Sequence, residues 1–425
     1  SVAMLLGVMQ LVRVAGRRYG WPPEVQRKAV HVATGGYALT LPLLFHEPWP
    51  VILLVALTIV VMLLLRHPAM AQRGLGTAIH SVERKSYGDM LFAIAVGFLF
   101  FRAPSNPVLF ALPVLVLTLS DTAAALAGSA YGKRLFAVEA GNKSLEGVAV
   151  FFLVTWIIAM VMLLLMTDIP RLNVVTLSLL IASFGALVEA DSWRGFDNLF
   201  LPVGLHLFLA AHLSTPPLGL AVIALGFLVA MVSILNLAPR LGLSPHTART
   251  YVVALFLIGC YTQPHNMILP ALAVAAHLWA RERTPSRSPF PDLDSIAAVA
   301  VISLAWMFAG EWFGPSAINF YNMTFAGAAA ALVMIGLAGR PRVAALAAAV
   351  ATAAVIASLF NWIVGLGPEA ARWHGGLALP LSLTLLLSLA VSGMQPDLFD
   401  RFRSPRIAIL AGIVPAIAYL AKVLT

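Results

Sequence analysis

The sequence predicts an all-α fold, a polytopic transmembrane helical bundle. Of the 425 residues, 60% are hydrophobic and only 11% are charged. Apolar runs long enough to span a bilayer recur from one end of the chain to the other. Because a segment in lipid must satisfy its own backbone hydrogen bonds, each run is expected to form a helix. The spacing of the runs excludes a soluble domain of ordinary size between them.

The apolar runs define about sixteen expected spans. In chain order, the predicted spans cover residues 1–12, 29–46, 49–65, 88–101, 107–130, 147–166, 172–189, 198–213, 217–237, 250–263, 265–280, 295–313, 320–338, 343–365, 375–394 and 406–424. The runs at 88–101 and 250–263 are short for a complete crossing, and a re-entrant segment is the alternative for each.

The basic residues indicate how the spans are oriented. Most of the 27 Lys and Arg residues lie in loops that follow odd-numbered spans, and the exceptions are Arg102, Arg171, Arg372 and Lys422. Basic loops face the cytoplasm, so the N-terminus is predicted to lie outside. Topology then accounts for the net charge of +9, and no nucleic-acid partner is expected. The composition is typical of an integral protein of the bacterial inner (plasma) membrane, with membrane lipids around it.

The polar residues divide the chain into two halves. Polar clusters concentrate in the first half, and a turn at residues 215–217 separates it from a plainer second half. We therefore predict a catalytic membrane domain at residues 1–215 and a multi-span membrane domain of open role at 216–425. Polar residues in or beside the later spans, such as Glu311 and Asn322, are typical of hydrogen bonding between helices. The oligomeric state is left open.

Residues 118–147 carry the most informative polar pattern. Asp121 lies in an otherwise apolar segment, and Gly128 and Gly132 follow in a small-residue turn. A carboxylate at this depth is costly unless it has a partner, so it marks a candidate functional site. Cations and flexible backbone just beyond it are what a nucleoside triphosphate and its metal require. The polar residues beyond the turn are Lys133, Arg134, Lys143, Ser144 and Glu146.

Three further polar clusters lie in the first half. Arg27, Lys28 and His31 share one face of a predicted helix. Lys85 belongs to a charged segment, residues 83–89, that precedes the next span. Four oxygen-bearing side chains of the kind that holds Mg²⁺ follow near the end of this half: Glu189, Asp191, Asp197 and Asn198.

All four clusters lie on or near the predicted cytoplasmic face, where nucleoside triphosphates are available. Their cations can neutralise phosphates, their carboxylates can hold a divalent metal, and the apolar surroundings admit a lipid. Phosphoryl or nucleotidyl transfer needs these elements and little covalent participation by the protein. A transporter or flippase is the alternative of a different class, with Asp121 in an ion pathway. The chain shows no internal repeat, which disfavours that alternative.

Five segments carry a resemblance to a known family. They are RKAVHVATGG (27–36), ERKSYGDMLF (83–92), SDTAAALAGSAYGK (120–133), NKSLEGVAVFF (142–152) and VEADSWRGFDNLFLPV (188–203). In order and spacing they resemble the CTP-dependent polyprenol kinase family, which includes phytol kinase and dolichol kinase. The resemblance implies transfer of the γ-phosphate of CTP to an isoprenoid alcohol such as phytol, geranylgeraniol or a polyprenol, which gives a prenyl monophosphate.

The resemblance indicates which segments form the site, and we assign roles to individual residues within them. CTP would be bound by Lys28, His31, Lys85, Gly128, Gly132, Lys133, Lys143 and Ser144. Catalysis would depend on Asp121, Lys133, Lys143 and Glu146. The Mg²⁺ ion would be held by Asp121, Glu189, Asp197 and Asn198. In this assignment the lysines contact phosphates, and Asp121 is a metal ligand or the base for the alcohol.

The same pattern is similar to that of phosphatidate cytidylyltransferases, which also bind CTP. In those enzymes a lipid phosphate attacks the α-phosphorus, pyrophosphate leaves, and a CDP-lipid forms. A proline is expected there in a run of the type S-P-x-K-T, whereas residues 141–147 read GNKSLEG. The segment is closer to the kinases, so the kinase interpretation is favoured and cytidylyl transfer remains the enzymatic alternative.

Overall fold

A computed structural model describes residues 2–66, 88–102, 106–138, 141–192 and 195–423. These residues form sixteen α-helices, three short 3₁₀ turns and one two-stranded antiparallel sheet. The chain divides into two compact units, Ser1–Val232 and Ser233–Thr425.

The first unit contains eight complete helices and most of a ninth. They are α1 (Val2–Tyr19), α2 (Pro23–Leu44), α3 (Pro48–Arg66), α4 (Gly88–Arg102), α5 (Pro107–Tyr131), α6 (Leu145–Met166), α7 (Arg171–Asp191), α8 (Asp197–His212) and α9 (Pro217–Leu237). The boundary between the units falls inside α9. The predicted boundary at 215/216 lies in the turn just before this helix, and the roles of the two predicted domains stay predictions.

The second unit contains the remaining seven of the described helices. They are α10 (Pro245–Thr262), α11 (Ile268–Arg283), α12 (Pro291–Phe313), α13 (Ala317–Gly336), α14 (Arg342–Gly365), α15 (Ala378–Met394) and α16 (Arg403–Val423). At its centre α13 packs against α11, α12, α14, α15 and α16. A run of small residues, 326–331, lets neighbouring helices approach α13 closely. Of the most apolar stretch of α13, 83% is buried.

Each of the described helices overlaps one predicted span. Eight of them are long and apolar enough to cross a membrane, namely α5, α6, α7, α9, α12, α13, α14 and α16. The helices are therefore compatible with an integral membrane protein. The short runs at 88–101 and 250–263 correspond to α4 and α10, which are not among these eight. The total of about sixteen spans, the outside N-terminus and the bacterial inner membrane stay predictions.

The all-α prediction omits a small hairpin between α5 and α6. Strand β1 (Leu135–Val138) pairs antiparallel with β2 (Gly141–Ser144), and Phe136 lies opposite Lys143. Strands of four residues are too short to show a clear alternation of polar and apolar residues. The hairpin matters for the site because β2 leads directly into α6 and holds Lys143 at the helix entrance.

Helix α5 has two irregularities that set the position of the site. Pro113 lacks an N–H group, so the carbonyl of Leu109 loses its helical partner and instead accepts a hydrogen bond from Nδ1 of the buried His206, at 2.8 Å. One turn later, Val116–Ser120 forms a π turn immediately before Asp121. Such turns often accompany functional sites, since they release carbonyl groups and change the phase of the helix.

Candidate active site

Three carboxylates from three different helices meet in the first unit. Asp121 follows the π turn of α5, Glu189 lies in the last turn of α7, and Asp197 begins α8. One oxygen from each carboxylate lies within 4.8 Å of the others. Oxygen atoms that share one divalent cation lie about 2.0–2.6 Å from it, so they are within about 5 Å of one another. The three carboxylates, called here the acidic cluster, have this spacing.

Several oxygens in and beside the acidic cluster are buried without a hydrogen-bond partner among the described residues. They are Oε2 of Glu189, Oδ1 of Asp197 and Oδ1 of Asn198. A buried oxygen that has lost water and gained no donor is costly, and a cation removes that cost. Hard oxygen ligands of this kind are those preferred by Mg²⁺ and Ca²⁺. The donor set therefore fits a divalent cation.

Helix α2 brings a buried cation to Asp121. Nζ of Lys28 lies 2.6 Å from Oδ2 of Asp121, and the Lys28 side chain is only 2% exposed. Nε2 of His31 donates to the carbonyl of Leu117 in the π turn at 3.1 Å, and it lies 3.4 Å from the same Asp121 oxygen. The carbonyl can only accept, so the hydrogen must be on Nε2. Asp121 thus has the partner that a buried carboxylate needs.

The close approach of α2 and α5 depends on one glycine. A Cβ atom on Gly35 would lie 2.0 Å from Oγ1 of Thr118, whereas a Cβ on Gly36 would meet no heavy atom of the described residues within 4 Å. Gly35 therefore faces the π turn, and only its missing side chain allows the contact.

The hairpin places a second cation at the opposite side of the acidic cluster. Nζ of Lys143 lies 2.9 Å from Oε1 of Glu189 and 2.9 Å from Oγ of Ser192, and it also donates to the backbone carbonyl of Glu189. Burial alone would lower the pKa of Lys143, but the carboxylate of Glu189, followed by that of Asp197, raises this pKa above its ordinary value. The ammonium group is therefore charged at neutral pH.

Glycines allow close packing at the N-terminal end of α6. A Cβ on Gly132 would lie 2.3 Å from the carbonyl oxygen of Gly128, and a Cβ on Gly147 would lie 3.0 Å from that of Ala124. Oγ of Ser144 caps α6 by accepting from the N–H of Gly147 at 3.1 Å. In this structure three of the predicted nucleotide-binding residues therefore pack against one another, namely Gly128, Gly132 and Ser144.

Other predicted site residues lie outside the acidic cluster. The Lys133 side chain is exposed. Both carboxylate oxygens of Glu146 accept from the backbone N–H of Arg134 at 3.2 Å, so Glu146 stabilises the loop before β1. Asp191 is buried but is not a member of the three-carboxylate group. The predicted contact of Lys85 with the nucleotide lies outside the described residues.

Sequence reasoning missed two relationships in the site. The pairing of Lys28 with Asp121 joins residues 93 positions apart, and Ser192 was not among the predicted site residues. A buried charge needs a partner, so the isolated Asp121 was a signal that a cation must approach it. Nothing in the sequence indicates which cation does so.

The fold and the site define an apolar helical protein in which three carboxylates and two lysines meet at a largely buried centre. The chain is 28% identical to a curated phytol kinase of Synechocystis sp. over 186 residues, a stretch that covers 43% of this chain and 77% of that protein. No protein-family profile matches the chain, and no solved structure matches it. The similarity supports a relationship to phytol-kinase-like proteins for part of the chain.

Proposed function

We propose that this protein is an integral membrane kinase that transfers the γ-phosphoryl group of CTP to an isoprenoid alcohol. The observation that carries the proposal is that three carboxylates meet two lysines inside an apolar bundle. Lys28 is buried and Lys143 is half-buried. The similarity to a phytol kinase supports the same reaction class. The resemblance of residues 120–133 and 142–152 to CTP-dependent kinases supports CTP as the donor.

In this proposal Mg²⁺ would be held by Asp121, Glu189, Asp197 and Asn198. The ion would neutralise charge on the phosphates of CTP. The unpaired oxygens of Glu189, Asp197 and Asn198 support the assignment, because they have no donor among the described residues. One oxygen of Asp121 would contact the ion. The ion pair between Oδ2 of Asp121 and Nζ of Lys28 fixes the orientation of this carboxylate.

The lysines act on the phosphate oxygens. Lys143 is charged and held by Glu189 and Ser192, so it can exchange one of these contacts for a phosphate oxygen at little cost in orientation. Lys133 is exposed near the same hairpin and would reach a phosphate from the solvent side. Positioning and charge neutralisation of this kind make up most of the catalysis of phosphoryl transfer.

The reaction balances with one proton transfer. The oxygen of the alcohol forms a bond to the γ-phosphorus, the bond from that phosphorus to the β–γ bridging oxygen breaks, and CDP leaves. The hydroxyl proton passes to a carboxylate oxygen of the acidic cluster, and Asp121 is the base in the alternative in which Glu189, Asp197 and Asn198 hold the ion without it. The apolar walls of the bundle accommodate the isoprenoid chain.

The test is an assay of purified protein in lipid with CTP labelled at either the γ or the α phosphorus. Label that reaches an added prenyl alcohol only from the γ position, with release of CDP, is the expected result. Label that reaches phosphatidate from the α position, with release of pyrophosphate, would mean cytidylyl transfer instead. Absence of transfer to both lipids would reject both enzymatic assignments.

A further inference from the structure

The second unit contains a cavity of about 240 Å³ that the proposed transfer does not use. It lies between the C-terminal ends of α10, α12 and α14 and the N-terminal end of α13, next to the 3₁₀ turn Pro264–Met267. One water molecule takes about 30 Å³ of liquid volume, so the cavity is larger than one or two structural waters require. Its size suits part of a small organic molecule.

Two buried amide side chains that line the cavity leave one hydrogen-bond acceptor without a partner among the described residues. Nδ2 of Asn266 donates to the carbonyl of Thr262, so its Oδ1 faces Asn322. Nδ2 of Asn322 donates to this oxygen at 2.7 Å and to the carbonyl of Ile318 at 3.0 Å. Carbonyls accept only, and therefore both amide orientations are determined. Asn322 is 1% exposed, and its Oδ1 has no hydrogen-bond partner among the described residues.

The rest of the cavity wall combines apolar side chains with a strained polar residue. Trp306, Met307 and Ile363 supply apolar surface, and the Trp306 ring is fixed by a 2.9 Å hydrogen bond from Nε1 to Thr324. The exposed lining residue Gln263 has φ of 77°, a left-handed value that is unfavourable for a residue other than glycine. Strained residues of this kind cluster at ligand sites, where the surrounding structure holds them in place.

The location of the cavity favours an amphipathic ligand. Three of the helices that line it, α12, α13 and α14, are long and apolar enough to cross a membrane, and the cavity lies at their ends. The end of a span is the level of lipid headgroups. A ligand bound there can direct a polar group to the buried amide and an apolar chain along the helices.

We propose that this cavity binds the hydroxyl group of a long-chain alcohol, with Oδ1 of Asn322 accepting the hydroxyl hydrogen and Trp306 and Met307 contacting the first part of the chain. The site needs neither a nucleotide nor the acidic cluster. Its lining residues are different from those of the proposed phosphoryl-transfer centre, so binding of the alcohol can be tested independently of phosphoryl transfer.

The experiment is photolabelling of the full-length protein in nanodiscs with a diazirine analogue of geranylgeraniol, without nucleotide or divalent cation. The expected result is labelling of peptides within residues 303–322 that excess geranylgeraniol suppresses. The methyl ether of geranylgeraniol has no hydroxyl donor and should suppress labelling about tenfold less effectively, since loss of one hydrogen bond reduces affinity by about that factor. Equal suppression by the ether and the alcohol would overturn the proposal.

Two variants and a control locate the interaction. Asn322→Leu removes the acceptor and should reduce labelling of these peptides about tenfold. Gly310→Leu fills the cavity without changing the amides, because the nearest heavy atom to a Cβ on Gly310 is Cβ of Ala317 at 3.6 Å. Asn361→Leu alters an exposed asparagine of α14 and should have no effect. Unchanged labelling in folded Gly310→Leu would overturn the proposal even if Asn322→Leu fails to fold.

Discussion

Lys28 and Asp121 form a buried ion pair, with Nζ and Oδ2 2.6 Å apart, between helices α2 and α5. Both charges are removed from water, so each depends on the other to offset its desolvation. The pair therefore connects the stability of the first unit to the geometry of its candidate active site.

Loss of Lys28 should destabilise the first unit strongly. Lys28→Met leaves the carboxylate of Asp121 buried without its closest cation, and breaking such a pair costs about 3–5 kcal/mol. The double variant Lys28→Met/Asp121→Asn should lose less than the sum of the two single variants. Thermal unfolding in detergent measures the coupling. Arg27→Met is the control, because its pair with Glu24 is exposed and is worth about 0–1 kcal/mol. Additive effects of the two single variants would contradict the interpretation.

Asp121→Asn should abolish phosphoryl transfer in protein that remains membrane-inserted. Asparagine keeps the shape of the side chain but loses the charge that a metal ion and a hydroxyl proton require. The expected decrease in kcat is at least about 100-fold. Asp168→Asn changes an exposed aspartate in the loop before α7 and should leave the rate unchanged. If Asp121→Asn retained full activity, Asp121 would have no place in the reaction centre.

Lys143→Met should raise the KM for CTP more than the KM for the alcohol. Its ammonium group lies beside Glu189 and Ser192 at the acidic cluster, where it would contact phosphate. We expect about a 10- to 100-fold loss in kcat/KM for CTP, since charge-assisted hydrogen bonds contribute about 1.5–3 kcal/mol. Lys133→Met should have a smaller effect because that side chain is exposed. Initial rates at varied CTP provide the measurement, with Arg171→Met as an exposed control. An unchanged KM for CTP would argue against the phosphate role.

Removal of divalent cations should stop the reaction, and Mn²⁺ should restore it. Mn²⁺ also reports binding directly by electron paramagnetic resonance, without any turnover. Glu189→Gln and Asp197→Asn each remove one charged ligand and should weaken Mn²⁺ binding by about tenfold or more. Asp168→Asn again serves as the control. Tight Mn²⁺ binding in both ligand variants would place the metal elsewhere.

Gly35→Ala should destabilise the protein, whereas Gly36→Ala should not. A methyl group on Gly35 would overlap Thr118 in the π turn and push α2 away from α5, at a cost of about 1–3 kcal/mol. A methyl group on Gly36 meets open space and removes a flexible residue from a helix. The two melting temperatures are compared in the same detergent. Equal melting temperatures would show that the helices separate easily at this point.

The sequence predicted the helices well because apolar runs in this chain are long and clearly separated. Each described helix overlaps a predicted span, since a helix is the simplest structure that satisfies its own backbone in an apolar environment. The hairpin was missed because four-residue strands carry little periodic signal. The π turn has no sequence signature beyond the nearby Pro113.

The candidate site was predictable as a set of residues but not as an arrangement. Scarcity of charge singled out Asp121, Glu189 and Asp197, and the structure brings these three together. Asp191 has the same composition signal but is not a member of the acidic cluster, and residues two positions apart on a helix point in different directions. The amide pair of Asn266 and Asn322 likewise depends on helix packing that no local pattern encodes.

The π turn before Asp121 amounts to one additional residue within an otherwise regular helix. Each residue of an α-helix turns the chain by about 100°. Deletion of the half-exposed Leu119 would therefore restore a regular helix and leave the later side chains of α5 at nearly their present angles, whereas a regular helix of unchanged length would rotate them by about 100°. The π turn thus sets the angle between Asp121 and the packing face of the preceding segment, because it holds the one additional residue without a change in the helix on either side.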